Sequence, residues 1–401
     1  MSIEALLDLL LVRIPLRFFK KNVVSSIGAS KRGVGRRALI YFKTDPLFSC
    51  RLRNAYVHTN NAEIIAIVGI LNRLGFVVDL VDRDATLADI KPLMEYDYEV
   101  YVANAAGNSA PLHREIMDRI KSRRRVFFGA GPEPEASNRL VEARHLEFDW
   151  RTGDRCARRR LVRGENLEQR FSGIDAIFYV GNKFSEETYA PHCLPTYRIY
   201  PSTSPMLQFD ALALTQKQSN HFLYFGGNGL ICKGLDLVLE AFDGLEGVTL
   251  DVCAPANELD FWQFYAPLLA RNLHIRYHGF VRLGSKKFSA ITASAAFQVF
   301  PGSAEGCATS VVTCMRRGVV PITTWESGVD TGDFGIQVGS ASVEGIRELV
   351  NKLKDMPKKE MQGRVIDTYL ASMEYTPEGF ARSFEAALLK TLQMKGHDES
   401  R

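Results

Sequence analysis

The chain has 401 residues, of which 46% are hydrophobic and 24% charged, and its formal net charge is +4. This composition is typical of a folded globular protein and excludes a disordered or collagen-like chain, and the length suits two domains of roughly 150 to 200 residues. The seven cysteines form no C-x-x-C pair, so the sequence predicts neither a metal nor a disulfide framework and favours a reducing cytoplasm. No nucleic-acid partner is expected.

The amino-terminal segment mixes apolar and basic side chains. Residues 1–21 carry Leu, Ile and Phe together with Arg13, Arg17, Lys20 and Lys21, and they lack the small-residue cleavage site of a secretory signal. One interpretation is an interfacial helix on an anionic membrane, within a membrane-surface segment that extends to residue 36. The other is a helix that packs on its own domain. No apolar run reaches the roughly twenty residues that a membrane span needs.

The next part of the chain alternates short apolar runs with helical patterns. The pattern predicts strands at 37–43, 76–82, 99–103, 125–129, 174–180 and 197–200, and a helix at 58–74. Strands that are separated by helices indicate a parallel, doubly wound sheet. Between two of these strands, residues 149–163 hold six arginines. Such a run is typical of a solvated loop or face, although it could also meet a phosphorylated or anionic acceptor.

Polar residues at the start of the first helix are candidates for an acceptor site. His58, Asn60 and Asn61 follow the loop of the first predicted strand, and Asn104 follows the third. His58 could be a general base, an acceptor-binding group or a structural helix cap. Asn104 has the same status. No motif identifies the acceptor itself.

A glycine-rich turn follows the first strand of a second strand–helix series, which begins near residue 220. Strands are predicted at 221–226, 248–254, 275–280, 297–301 and 319–324. Gly226, Gly227, Gly229 and Gly234 surround Lys233, which stands where the turn becomes a helix. This is not a Walker A loop, and a lysine such as Lys233, taken alone, is more often a solvated helix residue than a phosphate ligand.

Two later strands each deliver a carboxylate on the loop that follows them. Glu305 follows the strand at 297–301, and Glu326 follows the strand at 319–324. The carboxyl ends of parallel strands are the ligand-binding edge of such a sheet. The loop after Glu305 has small side chains and leads into a helix whose free N–H groups suit a phosphate. The residues of this loop are Gly306, Cys307, Ala308, Thr309 and Ser310. The plainer alternative is an ordinary strand, loop and helix with a solvated Glu.

Together these segments resemble the carboxyl-terminal half of the group-1 glycosyltransferases of GT-B fold. The family pattern is G-R-x-x-x-x-K-G-x-D-x-L-L-x-A-F, followed later by S-x-x-E-G-x-x-x-x-x-x-E-A-M-x-x-G-x-P-V-I. The first part is matched by Gly227, Lys233, Gly234, Asp236, Leu239, Ala241 and Phe242. The second is matched by Ser303, Glu305, Gly306, Met315, Gly318, Pro321 and Ile322. The family's phosphate-binding Arg falls on Asn228, and its second Glu falls on Thr313.

The resemblance implies two Rossmann-like domains that face each other across a cleft. It divides the chain into an acceptor-side domain over 1–203, a nucleotide-sugar-binding domain over 204–375, and a terminal helix over 376–401 that crosses back. It assigns the diphosphate to Lys233, the donor sugar to Glu305 and the base to the neighbourhood of Phe280. Thr313 or Glu326 could contact the ribose.

The implied function is metal-independent transfer of a sugar from a nucleotide-diphosphate donor to an unidentified acceptor, with no cofactor beyond this co-substrate. Synthesis of a cell-surface polysaccharide or glycolipid is one setting for it. Two other functions remain open. One is a different reaction on the same fold, such as that of a nucleotide-sugar epimerase or a glycoside phosphorylase. The other is a non-catalytic partner protein that has lost turnover.

Overall fold

The computed structural model describes residues 22–28, 35–47, 59–105, 110–163, 167–204, 207, 209, 213–339 and 341–394. In this part of the chain the strands form two sheets. The first sheet runs in the order β1-β3-β2-β4-β5-β6-β7 and the second in the order β10-β9-β8-β11-β12-β13. The strands of the first sheet are β1 (Val23–Ile27), β2 (Arg36–Phe42), β3 (Phe76–Asp82), β4 (Tyr98–Ala103), β5 (Ser122–Gly129), β6 (Ala176–Val180) and β7 (Thr196–Ile199). Those of the second are β8 (Gln218–Phe225), β9 (Thr249–Cys253), β10 (Ile275–Tyr277), β11 (Ala295–Phe300), β12 (Val320–Thr323) and β13 (Ile336–Gln337).

Helices connect these strands. The connections of the first sheet contain α1 (Thr59–Arg73), α2 (Leu87–Ile90), α3 (Ala110–Arg119), α4 (Pro134–Thr152) and α5 (Lys183–Tyr189). The second sheet is served by α6 (Ala213–Gln216), α7 (Leu235–Phe242), α8 (Leu259–Arg271), α9 (Lys286–Ser294), α10 (Thr309–Met315), α11 (Val343–Leu353) and α12 (Lys358–Ala371). A last helix, α13 (Pro377–Leu392), follows. We call the first sheet with α1–α5 the first domain and the second sheet with α6–α12 the second domain.

The central strands are buried on both faces. Every residue of β3, β6 and β11 is buried, which is why these segments are near-continuous apolar runs instead of alternating ones. All strand pairs in the second sheet are parallel, and so are those of the first sheet except at one edge. The predicted pair of doubly wound sheets is therefore confirmed.

The exception is β1, which was not predicted and pairs antiparallel with β3. Val24 and Ile27 are buried in the core, and the carboxylate of Asp79 in β3 accepts from the backbone N–H of Ser26 at 2.7 Å. One interpretation of the sequence places residues 23–27 in a membrane-surface segment that extends to residue 36. The structure corrects this prediction, because residues 23–27 form an edge strand of the first sheet. Residues 1–21 lie outside the described residues.

The last helix lies on the first sheet. Its amino terminus is capped by Thr376, whose side chain accepts from the N–H of Gly379, and Pro377 occupies the first turn. Phe384 packs edge-on against Phe128 of β5 and Phe178 of β6. Burying an aromatic side chain of this kind stabilises the fold by about 1.5–3 kcal/mol.

None of the helices in the described ranges combines the length and apolarity needed to cross a bilayer.

Candidate functional site

A cavity of about 700 Å³ lies between the two domains, where β8 and β9 end. Its volume falls in the range of small-molecule sites, about 300–1,000 Å³. The carboxyl edge of a parallel sheet is the place where such ligands bind. The lining residues include Gly226, Gly227, Phe280, Thr309, Ser310 and Thr313 of the second domain and Ala62 and Ser202 of the first.

Two of the sequence candidates have distinct positions at this cavity. Phe280 follows β10 and remains 77% exposed. A large ring in water beside a cavity offers a flat face to a planar ligand. Thr313 is buried in α10 and lines the cavity. Glu326 is not among the lining residues; it lies in the 3₁₀ turn Trp325–Ser327, and its backbone carbonyl accepts from the N–H of Glu305 at 3.1 Å.

Lys233 and Glu305 form a buried ion pair; neither lines this cavity, but Gly227 and Thr309, near them in the chain, do. The Lys233 Nζ donates to Glu305 Oε1 at 2.6 Å, and both side chains are at most 10% exposed. The turn that carries Lys233 ends at Gly234, whose left-handed φ of 70° begins α7. A side chain at that position would collide with Pro301. The glycine therefore allows the turn with Lys233 to pack closely against the loop that carries Glu305.

A third charged group completes the cluster. Arg160, from the arginine-rich segment of the first domain, places a guanidinium nitrogen 3.2 Å from the same Glu305 oxygen. Burial raises the pKa of Glu305, but the charges of Arg160 and Lys233 outweigh burial and hold it below its usual value. Burial and the charge of Arg160 lower the pKa of Lys233, against the opposing effect of Glu305. With all three groups ionised, the cluster has two cations and one anion.

The loop of Glu305 is in contact with the first domain at a glycine. A Cβ on Gly306 would lie 2.5 Å from the carbonyl oxygen of Ala130 and 2.6 Å from the Cα of Gly131. The hydroxyl of Ser185 donates to the Gly306 carbonyl at 3.2 Å, and the side-chain amide of Asn182 donates to the carbonyl of Trp325 at 3.0 Å. The loops after β5 and β6 therefore close the site on the side of Glu305.

Cys307 and Ala308 do not present side chains to the cavity. Both are buried in the main hydrophobic core, and burial raises the pKa of the Cys307 thiol. The N–H of Ala308 donates to the carbonyl of Ser327 at 2.9 Å. Their small size permits the close packing of the loop, so their contribution is to its shape.

A second cavity, of about 460 Å³, adjoins the same glycine turn. It is lined by Asn228, Gly229, Asn257 and Glu258 of the second domain and by Arg158, Arg159, Arg160, Leu161 and Arg163 of the first. Glu258 is buried and its carboxylate accepts from the backbone N–H groups of Gly229 and Leu230. These two N–H groups are therefore already satisfied by a protein acid.

The geometry can now be compared with known proteins. No protein-family profile matches the sequence, and no curated protein sequence is significantly similar to it. Solved structures share its architecture. Anabaena Alr3699/HepE in complex with UDP and glucose matches with a TM-score of 0.57 at 12% identity, over 88% of this chain and 100% of that one. The fold is GT-B.

Two further GT-B structures agree over a similar extent. Sucrose-phosphate synthase from Thermosynechococcus elongatus has a TM-score of 0.59 and 13% identity, over 88% of this chain and 99% of that one. The E. coli trehalose-6-phosphate structure bound with UDP-2-fluoro glucose has a TM-score of 0.59 and 10% identity, over 90% of this chain and 100% of that one. At these identities the likeness concerns the fold.

The sequence candidates of the first domain are described only in part. His58 lies outside the described residues, and of Asn60 the structure describes only its backbone position in α1. Asn104 is 1% exposed: its side-chain amide donates to the carbonyl of Phe128 at 2.8 Å and its oxygen accepts from Arg83. Because these bonds use both ends of the amide, Asn104 acts within the first domain and does not present itself to an acceptor.

The residue that sequence reasoning missed is Arg160. The sequence predicts for the arginine segment either a solvated loop or face or contact with an anionic acceptor; in the structure Arg158 pairs with Asp149 at 2.5 Å and Arg159 with Asp260 at 2.7 Å. The signal was the density of arginines in one short segment, but nothing in the sequence points to partners a hundred or more residues away. Within the described ranges, no three His, Cys, Asp or Glu side chains gather as a metal site would require.

Proposed function

We propose that this protein is a glycosyltransferase that moves a sugar from a nucleoside-diphosphate donor to an acceptor hydroxyl. The observation that carries the proposal is the buried Lys233–Glu305 pair in a protein of GT-B fold that also holds a nucleotide-sized cavity. The neighbouring HepE structure was solved with UDP and glucose, which supports a nucleotide sugar as the ligand class.

The lining residues support one orientation of the donor. The base stacks on Phe280, and the ribose lies toward Thr313, a buried hydroxyl of the second domain at this cavity. The diphosphate passes Gly227, where a Cβ would meet no atom within 4 Å and backbone approach is therefore unhindered. It reaches Lys233, and the sugar meets Glu305 in front of the first domain.

The reaction breaks the bond between the anomeric carbon and the diphosphate oxygen and forms a bond from that carbon to the acceptor oxygen, which gives its proton to the leaving diphosphate. Negative charge grows on the leaving diphosphate, and Lys233 stabilises it as a pre-organised cation. Glu305 keeps Lys233 charged in its buried position and accepts from donor-sugar hydroxyls, which positions the anomeric carbon. These roles need no divalent ion, so we propose that chelator leaves turnover intact; loss of activity that magnesium or manganese restores would contradict this.

A screen of nucleotides by thermal unfolding tests the proposal. A ligand that binds only the folded protein raises its melting temperature, so one nucleotide family should stand out among UDP, GDP, ADP, CDP and TDP and their sugars. The matching sugar nucleotide should then be consumed when acceptor extracts are added. Absence of any shift would refute the donor site, and binding without consumption by any acceptor would identify a non-catalytic protein.

We further propose a carbohydrate or glycolipid acceptor at a membrane surface, as in synthesis of cell-surface polysaccharide, with residues 1–21 binding anionic lipid. The full chain should sediment with vesicles of phosphatidylglycerol and phosphatidylcholine, and salt should release it. A chain that lacks residues 1–21 should stay in solution. Equal sedimentation of the two proteins would contradict the membrane role of this segment.

A further inference from the structure

The segment 154–163 leaves the first domain and is fastened to the second. The carboxylate of Asp260 accepts from the backbone N–H of Ala157 at 2.8 Å and pairs with the Arg159 guanidinium at 2.7 Å. The next residue, Arg160, is therefore delivered to the glycine turn after β8 by two bonds that do not involve its own side chain.

The backbone and the turn both make room for Arg160. Its φ is 71°, in the left-handed region that a side chain with a Cβ rarely adopts. A Cβ on Gly229 would lie 2.2 Å from the Cδ of Arg160, so the arginine stem lies directly over this glycine. Strained backbone of this kind persists where the surroundings enforce it, and it is concentrated at functional sites.

The charge of the cluster calls for an anion. Glu305 is contacted by both Lys233 and Arg160, and one positive charge remains uncompensated within the trio. Lys233 and Glu305 are at most 10% exposed, whereas the Arg160 side chain is 35% exposed. Arg160 is therefore the member of the trio that an incoming anion meets first.

The residue next to Gly229 cannot supply this charge. Asn228 lines the same 460 Å³ cavity as Arg160, but it is neutral. A guanidinium binds phosphate oxygens through two parallel N–H donors, which an amide or a single ammonium does not reproduce. The one 3.2 Å contact to Glu305 leaves donors of the Arg160 fork for such an anion.

We propose that Arg160 binds the diphosphate of the donor, and that the first domain thereby supplies the guanidinium that position 228 of the second domain lacks. This inference rests on the proposed function. Arg160 and Lys233 then contact the diphosphate from the two domains, so donor binding holds the cleft together on this side.

Titration calorimetry with two nucleotides tests the assignment. The probes are the nucleoside diphosphate that gives the greatest thermal shift in the screen and its matching monophosphate. Arg160→Ala should weaken diphosphate binding about 10- to 100-fold, the value of one or two hydrogen bonds to a charged group, and affect the monophosphate much less. Arg160→Lys should lie between, since it keeps the charge and loses the fork.

Two further variants serve as controls for the Arg160→Ala measurement. Arg155→Ala removes an arginine of the same segment whose side chain is 87% exposed, and it should bind both nucleotides as the wild type does. Arg160→Ala combined with Asn228→Arg should recover diphosphate affinity, because the new guanidinium enters the same cavity from the other side. Recovery also shows that a chain carrying Arg160→Ala can fold.

The outcomes separate the two proposals. If wild-type protein binds none of the nucleotides, the proposed function fails before any Arg160 variant is made. If the wild type binds the diphosphate and Arg160→Ala binds it as well as Arg155→Ala does, the inference alone is overturned. Equal loss of the diphosphate and the monophosphate would likewise overturn it, because a general disturbance of the cleft has no preference for the second phosphate.

Discussion

Arg144 of α4 donates to the carboxylate of Asp236 in α7, and both side chains are buried. Arg151, two turns later on α4, contacts the same Asp236 oxygen at 2.5 Å. The aspartate that matches the family pattern in sequence thus fastens a helix of the first domain to the second domain. The two domains are joined here by a buried ionic contact.

Loss of the Asp236 carboxylate should therefore destabilise the protein strongly. Asp236→Ala leaves two partly or fully buried guanidinium groups without this partner, which costs about 3–5 kcal/mol of unfolding free energy. Asp118→Ala is the control, because its pair with Arg114 is about half exposed and should contribute less than about 1 kcal/mol. Urea unfolding of both variants measures the difference, and equal midpoints would contradict the anchoring role.

Glu305→Gln should separate sugar handling from nucleotide binding. The amide keeps the size of the side chain but weakens its bonds to donor hydroxyls, so misplacement of the anomeric carbon should lower turnover about 100-fold. Free nucleoside diphosphate has no sugar to hold, and Lys233 and Arg160 lose an anionic competitor. The affinity of Glu305→Gln for free nucleoside diphosphate should therefore not fall below that of the wild type. Thr313→Ala, which removes a hydroxyl at the cavity, should reduce turnover less. Full transfer activity in Glu305→Gln would contradict the role proposed for Glu305 and its loop.

Lys233→Ala should weaken donor binding and turnover together. In the proposed reaction the ammonium interacts with the diphosphate both in the bound donor and as the leaving charge grows, so its loss should cost about 2 to 4 kcal/mol in kcat/KM. The comparison of kcat and KM for the wild type and the variant measures this division. An increase of KM with unchanged kcat would assign Lys233 to donor binding alone.

All described strands except the edge strands β1 and β13 could be predicted from sequence, because buried parallel strands are apolar runs bounded by glycine and turn residues. The residues 76–82 and 297–301 illustrate this, since β3 and β11 occupy them to within a few positions. The strand β13 has only two residues, which is too short for a pattern. The edge strand β1 escaped prediction because its five residues include two serines and follow a basic segment. Its identity depends on pairing with β3, which local pattern does not contain.

The site was predictable only in part, for a similar reason. Lys233 and Glu305 could be placed together because a repeated strand, loop and helix brings both to one sheet edge. Arg160 could not, since its partner is 145 residues away, in the other domain. Asn104 was expected in the cleft, but its side chain is hydrogen-bonded to the Phe128 carbonyl and to Arg83. The sequence does not reveal that these hydrogen bonds occupy the amide.

Gly306 is expected to tolerate no side chain. In Gly306→Ala the new methyl group would press on the backbone of Ala130 and Gly131 in the first domain, so the cleft must open or the Glu305 loop must shift. Either change should lower turnover, and the overpacking should cost about 1–3 kcal/mol of stability. Gly363→Ala in α12 is the matched control, because nothing lies within 4 Å of its added Cβ and an alanine there should stabilise the helix by roughly 0.5–1 kcal/mol. A Gly306→Ala enzyme as active and stable as the wild type would contradict the close contact between the domains.

The free energy of unfolding should depend on pH in a way that reflects the raised pKa of Glu63. This acid lies in α1 next to Ala62 of the cavity wall, and it is 4% exposed. Burial raises its pKa from 4.5 to about 7, against the smaller effects of the Ser202 N–H and the charge of Lys43. Between these two pH values the unfolded chain has released the proton while the folded protein still binds it.

Stability attributable to this group must therefore fall as the pH rises from 4.5 to 7, by about 3 kcal/mol, and change little above that. Glu63→Gln is neutral at every pH and retains an oxygen that can accept from Ser202. The difference in unfolding free energy between Glu63→Gln and wild type should thus grow in favour of the variant over this window and then level off. Chemical denaturation at half-unit pH intervals measures it, and two parallel curves would show that Glu63 is ionised in the folded protein throughout.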